Sequence, residues 1–367
     1  MLRRLSISVF LLLIIAPGTI HACSCVFVSS GCGMGLNLDN AVFLGKVISK
    51  IGVQDPTAGG DSTGMGNRYA IHLATIENFQ GAGPLGQEVV VYTGQGGGDC
   101  GYPFLVGTSY LVYASSNNGR LSTSICSGTN PEVMVGGVLR ELRAFRDSGR
   151  VDDLFGTIAI APEGAGFEDL AGTRPLSNVS VHVTSSKGEV FSTETDEHGA
   201  FAFARLPRDT YRIEQDLPAG LTTRQSKTGK PVSIEVDDKT GTGAGCQVDV
   251  FSRPDGEVSG NVVDASGKGV PGFVTIEPSD PRAAHVAMRR GGLPGFDTDD
   301  GSFSLPQLAP GRYRLVFHPR IGKNVSFQHT FYWPPASDGS NSIAIELGFG
   351  QHVDNVRFEV TATDNTP

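Results

Sequence analysis

Asp196-Glu197-His198-Gly199-Ala200-Phe201, with Leu206 and Tyr211-Arg212-Ile213 behind it, is restated further on as Asp299-Asp300-Gly301-Ser302-Phe303, Leu308 and Tyr313-Arg314-Leu315. Gly199, Phe201, Leu206, Tyr211 and Arg212 all reappear 102 residues later, as Gly301, Phe303, Leu308, Tyr313 and Arg314. One offset shared by five positions marks an internal repeat. Each copy opens on a β-rich run (Gly156 to Ile160; Val258 to Val263), passes a proline-bearing turn (Pro175; Pro271) and enters a second run (Val179 to Val183; Phe273 to Ile276). Glycine accepts positive φ and Asp caps turn backbone, so Asp196–Gly199 and Asp299–Gly301 are expected to be hairpin turns. The Phe and Tyr-Arg runs after them alternate inward and outward, as half-buried strands do. The sequence therefore predicts two tandem β-sandwiches, residues 154–252 and 255–361, meeting near Arg253 to Gly256 and followed by a polar tail.

Working back toward the N-terminus, short β-rich runs (Ala41 to Ile51, Tyr69 to Ile76, Glu88 to Tyr92, Ser109 to Ala114) alternate with Gly-rich loops. The period then changes. Val135, Val138, Leu139, Leu142 and Phe145 recur at three and four, Pro131 suits a first helical turn, and Gly149 can end it. A small barrel or sandwich closed by one amphipathic helix is expected over residues 23–150. At the front, Arg3 and Arg4 precede an apolar run from Leu5 to Ala16, broken by Pro17 and Gly18. This pattern predicts a secretory signal over residues 1–22, since a run of about 12 residues falls short of the ~20 a spanning helix needs. No transmembrane segment is expected.

The 367 residues carry 29 Lys and Arg against 38 Asp and Glu, a net charge of −9, which argues against a nucleic-acid partner. Only 18% are charged, and 49 Gly with 21 Pro make turns frequent, so the composition is that of a folded, turn-rich β chain. All six cysteines (Cys23, Cys25, Cys32, Cys100, Cys126, Cys246) fall after residue 22, and an even count in an exported chain suggests disulfides.

Gly260-Asn261-Val262-Val263-Asp264, Gly269-Val270-Pro271, Thr298 to Phe303, Leu308-Ala309-Pro310-Gly311 and Tyr313-Arg314-Leu315 resemble the carboxypeptidase regulatory-like domains, which are transthyretin-like or Ig-like sandwiches. The copy at 154–252 is a degenerate one, with Pro207-Arg208-Asp209 in place of the Ala-Pro-Gly turn. The resemblance implies non-catalytic spacing, attachment or ligand-contact modules. Cys23-Ser24-Cys25-Val26, Ala41 to Val47, Cys100-Gly101-Tyr102-Pro103-Phe104, Gly107 to Tyr113, Leu121 to Cys126 and the closing helix together resemble the netrin-like family, which includes the tissue inhibitors of metalloproteinases. It implies an OB-like five-stranded barrel with a C-terminal helix. It also implies pairing of Cys23 with Cys100 and of Cys25 with Cys126, two bridges that would each contribute about 2–4 kcal/mol. Cys32 and Cys246 are left over, to pair across domains or stay free.

In the inhibitors, the first cysteine's α-amine and carbonyl clamp a protease zinc and displace its water, and the second residue enters the specificity pocket. A deprotonated α-amine is a good zinc ligand, and the displaced water is the protease's nucleophile. Here Cys23, Ser24, Cys25 and Val26 would supply that contact, provided cleavage falls immediately before Cys23. Two other readings stand beside it. The double-cysteine start could simply lock the barrel, or Ile20-His21-Ala22-Cys23 could be a poor lipobox, whose lipidation of Cys23 would anchor the chain to a membrane and exclude both clamp and bridge.

Catalytic signals are weak. Gly60-Asp61-Ser62-Thr63-Gly64 has the spacing of a nucleophile elbow but sits in a polar Gly-rich loop with no helix after it. Gly94 to Gly98 lacks the Lys and helix of a phosphate loop, and no His-Glu-x-x-His occurs. Asp297, Asp299 and Asp300 match no calcium loop, and Phe331-Tyr332-Trp333 reads as packing with a lesser chance to stack on a sugar or peptide. The expectation is a secreted, periplasmic or surface protein that is not an enzyme, needs no cofactor and binds a protein partner, with a zinc metalloprotease as the sharper alternative.

Overall fold

The computed structural model describes residues 30–32, 41–54, 67–96, 99–117, 119–160, 173–223, 232–237, 245–279, 295–322, 324–326, 330–333 and 344–360. The expected signal, Cys23 to Phe27, the Gly60–Gly64 stretch and the C-terminal tail lie outside them. Apart from one helix and a 3-10 turn, the described elements are strands.

The first part contains β1 (Ser30–Cys32), β2 (Ala41–Gln54), β3 (Asn67–Gln80), β4 (Glu88–Thr93), β5 (Ser109–Asn117), β6 (Arg120–Ser122), β7 (Asn130–Pro131) and the helix α1 (Gly136–Ser148). β2 pairs with both β3 and β5, β3 with β4, β4 with β6 and β6 with β5, so five strands close into a ring. Period-two alternation fills it. Phe43, Ile71, Leu73, Val91, Tyr110 and Val112 point inside, whereas Val42, Leu44, Leu111 and Tyr113 face outward beneath α1. Ala41 to Leu44 is an unbroken apolar run because both faces of the strand are covered.

The helix starts later than the sequence suggested. Pro131, expected in the first helical turn, instead pairs with Tyr110, and Glu132–Met134 form the 3-10 turn before Gly136. A Cβ on Gly137 would stand 2.4 Å from the Gly156 carbonyl, so the helix begins where its backbone can lie directly on the next sheet. Gly149 ends it in the left-handed region as expected, its N–H donating to the Phe145 carbonyl.

The second part contains β8 (Leu154–Ile160), β9 (Arg174–Pro175), β10 (Ser180–Ser185), β11 (Val190–Glu194), β12 (Ala200–Phe203), β13 (Asp209–Gln215), β14 (Leu221–Thr223), β15 (Ser233–Val236), β16 (Cys246–Val248) and β17 (Val250–Pro254). One sheet is centred on β8, which runs parallel to β16 and β17 on one side and antiparallel to β12 and β9 on the other. The facing sheet has the order β11-β10-β13-β15. Leu154, Ile158, Val181, Val183, Phe201, Tyr211 and Val248 pack between them.

The third part contains β18 (Gly256–Val263), β19 (Gly272–Pro278), β20 (Gly295–Thr298), β21 (Ser302–Leu308), β22 (Gly311–Ile321), β23 (Asn324–Val325), β24 (Phe331–Trp333), β25 (Ile345–Leu347) and β26 (His352–Glu359). The plan repeats: β18, the first strand, lies parallel to β26, the last, and antiparallel to β21, while β19 and β22 centre the opposite sheet.

The Asp-Gly turns are not hairpins within a sheet. The chain crosses at Asp196–Gly199 from β11 in one sheet to β12 in the other, and at Asp299–Gly301 from β20 to β21 likewise. Both glycines have positive φ, 68° and 85°, and a Cβ would meet the carbonyl of Ile158 at 2.3 Å or of Val262 at 2.2 Å. That close approach, made for the Gly199 O to Ile158 N and Gly301 O to Val262 N hydrogen bonds (both 2.8 Å), is why the motif turns a corner.

The first two parts are joined. α1 lies between the ring and the β8 sheet, so Val138, Leu139 and Leu142 share one apolar cluster with Val42 and Leu111 below and Phe155 above. Residues 30–32, counted by sequence with the head, pair antiparallel with β16 instead, and Cys32 and Cys246 form a disulfide across that pair.

Candidate functional site: the cysteine rim of the head

Cys100 and Cys126 are both disulfide-bonded and lie side by side, the Cys100 carbonyl accepting the Ile125 N–H at 3.0 Å. Cys126 is exposed, and the rim it stands on is framed from within. The Tyr102 N–H donates to Thr93 Oγ1 at 2.7 Å, the Thr123 hydroxyl to the Tyr113 carbonyl at 2.8 Å, and the Tyr113 N–H to Thr129 Oγ1 at 3.0 Å. Three buried threonines thus replace ladder bonds where the short strands β6 and β7 run out. Beneath them Tyr102, Phe104 and Tyr110 pack with centroids 4.8–5.8 Å apart, a geometry that favours tilted and edge contacts. Burial pushes both tyrosine hydroxyls above their ordinary pKa, so the packing beneath the rim is uncharged, while the two disulfide-bonded cysteines brace the rim covalently.

Of the Gly94–Gly98 stretch beside it, Gly97 and Gly98 lie outside the described residues. The Asp99 carboxylate accepts from the backbone N–H of Gln95 (2.6 Å), Gly96 (2.8 Å) and Gly101 (3.1 Å). These three donors already hold an anionic group.

Other polar groupings are structural. Burial raises the Glu77 carboxyl, but hydrogen bonds from Arg143 and Arg146 outweigh this and hold it below the usual range, tying α1 to β3. Asp297 and Asp299 both pair with Arg320, and Asp300 caps its own turn through Ser302, which leaves the three carboxylates occupied. Among the described residues no group of three or more His, Cys, Asp and Glu is placed to hold a metal ion. Phe331 and Trp333 pack on the core of the third part, while Tyr332 is exposed with Arg314 over its ring.

One constellation escaped the sequence reading. His182 Nδ1 lies 2.8 Å from Ser192 Oγ and its Nε2 3.1 Å from Asp216 Oδ2, the residue types of a Ser-His-Asp triad with the two ring nitrogens exchanged. No motif could have found it, because cross-strand register brings the Ser and His together. Its setting is wrong for catalysis: the group lies on the open face of a sheet, and Asp216 is 73% exposed, too solvated to fix the imidazole. Water is not excluded there.

Cys23, Ser24, Cys25 and Val26 lie outside the described residues, so the structure places only the Cys100 and Cys126 positions of the expected contact. No helix among the described residues is long and apolar enough to cross a membrane.

Comparison with known proteins bears on the first sandwich and the opening of the second. Residues 163–265 match the SdrD B-like domain. Serine-aspartate repeat-containing protein C of Staphylococcus aureus strain Newman is 26% identical over 172 residues, covering 41% of this chain and 17% of that protein, and the strain USA300 protein gives the same figures. The chain therefore spans under a fifth of the length of these relatives. Among solved structures, the minor pilin GBS52 of Streptococcus agalactiae aligns with 59% of this chain and 99% of its own at 14% identity and a TM-score of 0.21. The Bacillus anthracis TIE protein aligns with 88% of this chain and 47% of its own at 13% identity and a TM-score of 0.23. Scores this low carry no argument, and the similarity rests on the SdrD B-like match in a mainly β chain.

Proposed function

We propose that the chain is a non-catalytic, exported or surface protein that binds other proteins or mediates adhesion, with a netrin-like, OB-type head (23–150) carried on two β-sandwich modules (154–252 and 255–361). The observation that carries this reading is the match of 163–265 to the SdrD B-like domain, found also as sequence similarity to a serine-aspartate repeat-containing protein. The closed five-strand ring with a helix packed on its outside supports the OB-type head. Adhesion needs a rigid presenting surface more than a pocket, and the braced cysteine rim offers one.

A second reading is favoured by one observation: Cys100 and Cys126 are oxidised, and these are the positions that the netrin-like pattern pairs with Cys23 and Cys25. Those bridges would hold Cys23, Ser24, Cys25 and Val26 at the rim, where the Cys23 amine could clamp the zinc of a metalloprotease.

One experiment addresses both. The mature chain is immobilised and offered a panel of extracellular-matrix proteins and zinc metalloproteases, with hydrolysis of each panel protein followed in parallel. Saturable binding without turnover supports the adhesion reading, and hydrolysis by the chain overturns it. Stoichiometric inhibition of a protease that is lost on Ser24→Arg, or on adding one residue before Cys23, selects the clamp. A diacylglyceryl mass on Cys23 eliminates the clamp and makes the chain a lipoprotein.

A further inference from the structure

β1 belongs to the head by sequence but to the first sandwich by pairing. Ser30 lies opposite Val248, Gly31 opposite Gln247 and Cys32 opposite Cys246, where the disulfide bridges a sequence separation of 214 residues. That bond encloses the whole ring, α1 and nearly all of the first sandwich. From Cys246 the chain needs only β16 and β17 to reach Gly256, where the third part begins.

Consider tension entering through the chain before Ser30 and leaving through the third part. The β1–β16 ladder is antiparallel, with Ser30 and Val248 at the same end, so the pull loads that end first and its hydrogen bonds open one after another. Three residue pairs opened in sequence resist little, since each hydrogen bond is weak net of water and only one pair bears the load at a time. The cysteines sit at the far end of the ladder, the last pair reached. Without a covalent link there, the force would pass Cys32 into the ring, peel β2 from its neighbours and work through α1 and β8. With it, the force crosses from Cys32 to Cys246 and bypasses everything between.

We infer that the Cys32–Cys246 bond is a covalent force shortcut: it makes the head and first sandwich inextensible under end-to-end tension and leaves the third part as the extensible element. The inference deepens the adhesion reading, because a head that must stay folded while bound and pulled is protected by such a route. The folded shape of the head is then independent of load until a covalent bond breaks.

The test is single-molecule extension of the mature chain in oxidising buffer, held by tags at its two ends, compared with Cys32→Ala. Cys32 is exposed, and Cys246 would remain as a buried thiol, a small apolar group, so the variant keeps its core. The wild-type chain is expected to release only the third part. The variant is expected to release more: roughly 700–770 Å if the whole 214-residue stretch extends, or roughly 400–430 Å if a Cys25–Cys126 bridge still bypasses the ring. Either gain supports the shortcut, and the size reports the N-terminal pairing. Equal extension of the two chains overturns it. So does a wild-type chain that releases the head under oxidising conditions, a result that needs no variant and decides the matter even if Cys32→Ala fails to fold. Extension curves read the shortcut whether or not a partner binds, and the binding panel reads adhesion whether or not the shortcut exists.

Discussion

Asp249 sits in the break between β16 and β17, hemmed in by protein although not wholly shut from solvent. Its carboxylate accepts from the Thr157 N–H at 2.9 Å and from Gln247 Nε2 at 2.6 Å, yet burial outweighs both bonds and pushes its pKa up to about 6. Thr157 in turn accepts the Gly137 N–H at 3.0 Å, so the group stands one residue behind the seat of α1. A carboxyl whose pKa rises on folding binds its proton more tightly in the folded state. Its contribution is therefore fully present below about pH 4 and is lost as pH climbs through about 6, a difference of up to about 3 kcal/mol. Asp249→Asn keeps an acceptor for Thr157, and the Gln247 amide can turn its oxygen toward the new NH2. The variant should match wild type in denaturant unfolding at pH 4 and exceed it by up to about 3 kcal/mol at pH 7.5. A variant weaker than wild type at pH 7.5 would show that the ionised carboxylate is what the site needs.

Each sandwich turns its corner with the same parts, and one of these is a tyrosine that closes the element after the turn. The Tyr211 hydroxyl donates to the Pro207 carbonyl at 2.6 Å and the Tyr313 hydroxyl to the Ala309 carbonyl at 2.8 Å, in both cases four residues upstream, as in tyrosine corners. The equivalence survives although Pro207-Arg208-Asp209 replaces Ala309-Pro310-Gly311, because a backbone carbonyl is the acceptor. Tyr211→Phe and Tyr313→Phe each remove one donor and keep the ring, so each should cost about 1–2 kcal/mol in urea unfolding. Gly199→Ala should cost more, at least about 2 kcal/mol, since it meets both positive φ and the Ile158 carbonyl. Equal costs would mean the corner relaxes. These corners were legible in the sequence because every part is local and stated twice at one offset, although local pattern could not say that the turn changes sheets. The start of α1 was not legible: periodicity admits Pro131 or Gly136, and contact with the Gly156 backbone chooses. The β1–β16 pairing left no trace in the strand pattern, since three residues joined to a strand over 200 residues away carry no periodicity of their own, and the two spare cysteines were its one sign. For the rim, the sequence marked Cys100 and Cys126 but not the threonines that frame them.

At the scale of the molecule, the apolar clusters define the units that unfold. The second sandwich has a core of its own, from Val258 to Val360, and meets the first through a thin junction in which His352 Nε2 lies 2.7 Å from the Asp255 carbonyl and Phe349 rests against Gly220. The head and first sandwich share a cluster, with α1 contributing to neither core alone. Glu141, fully buried, adds a polar stitch by accepting the Asp152 N–H at 2.7 Å, and the disulfide adds a covalent one. Two cores fused through a common layer should melt together, so calorimetry of the oxidised chain should show two endotherms rather than three. Phe155 is the largest side chain that the first sandwich gives to the shared cluster, and it is 2% exposed. Phe155→Ala should cost about 3–5 kcal/mol and lower the endotherm of the fused unit by roughly 6 °C or more. The endotherm of the second sandwich should stay in place, because its core lies far from the substitution and such sites are nearly additive. Three resolved endotherms in the wild-type chain would show that α1 is a spacer between independent units, and movement of both endotherms in Phe155→Ala would show that the thin junction couples all three.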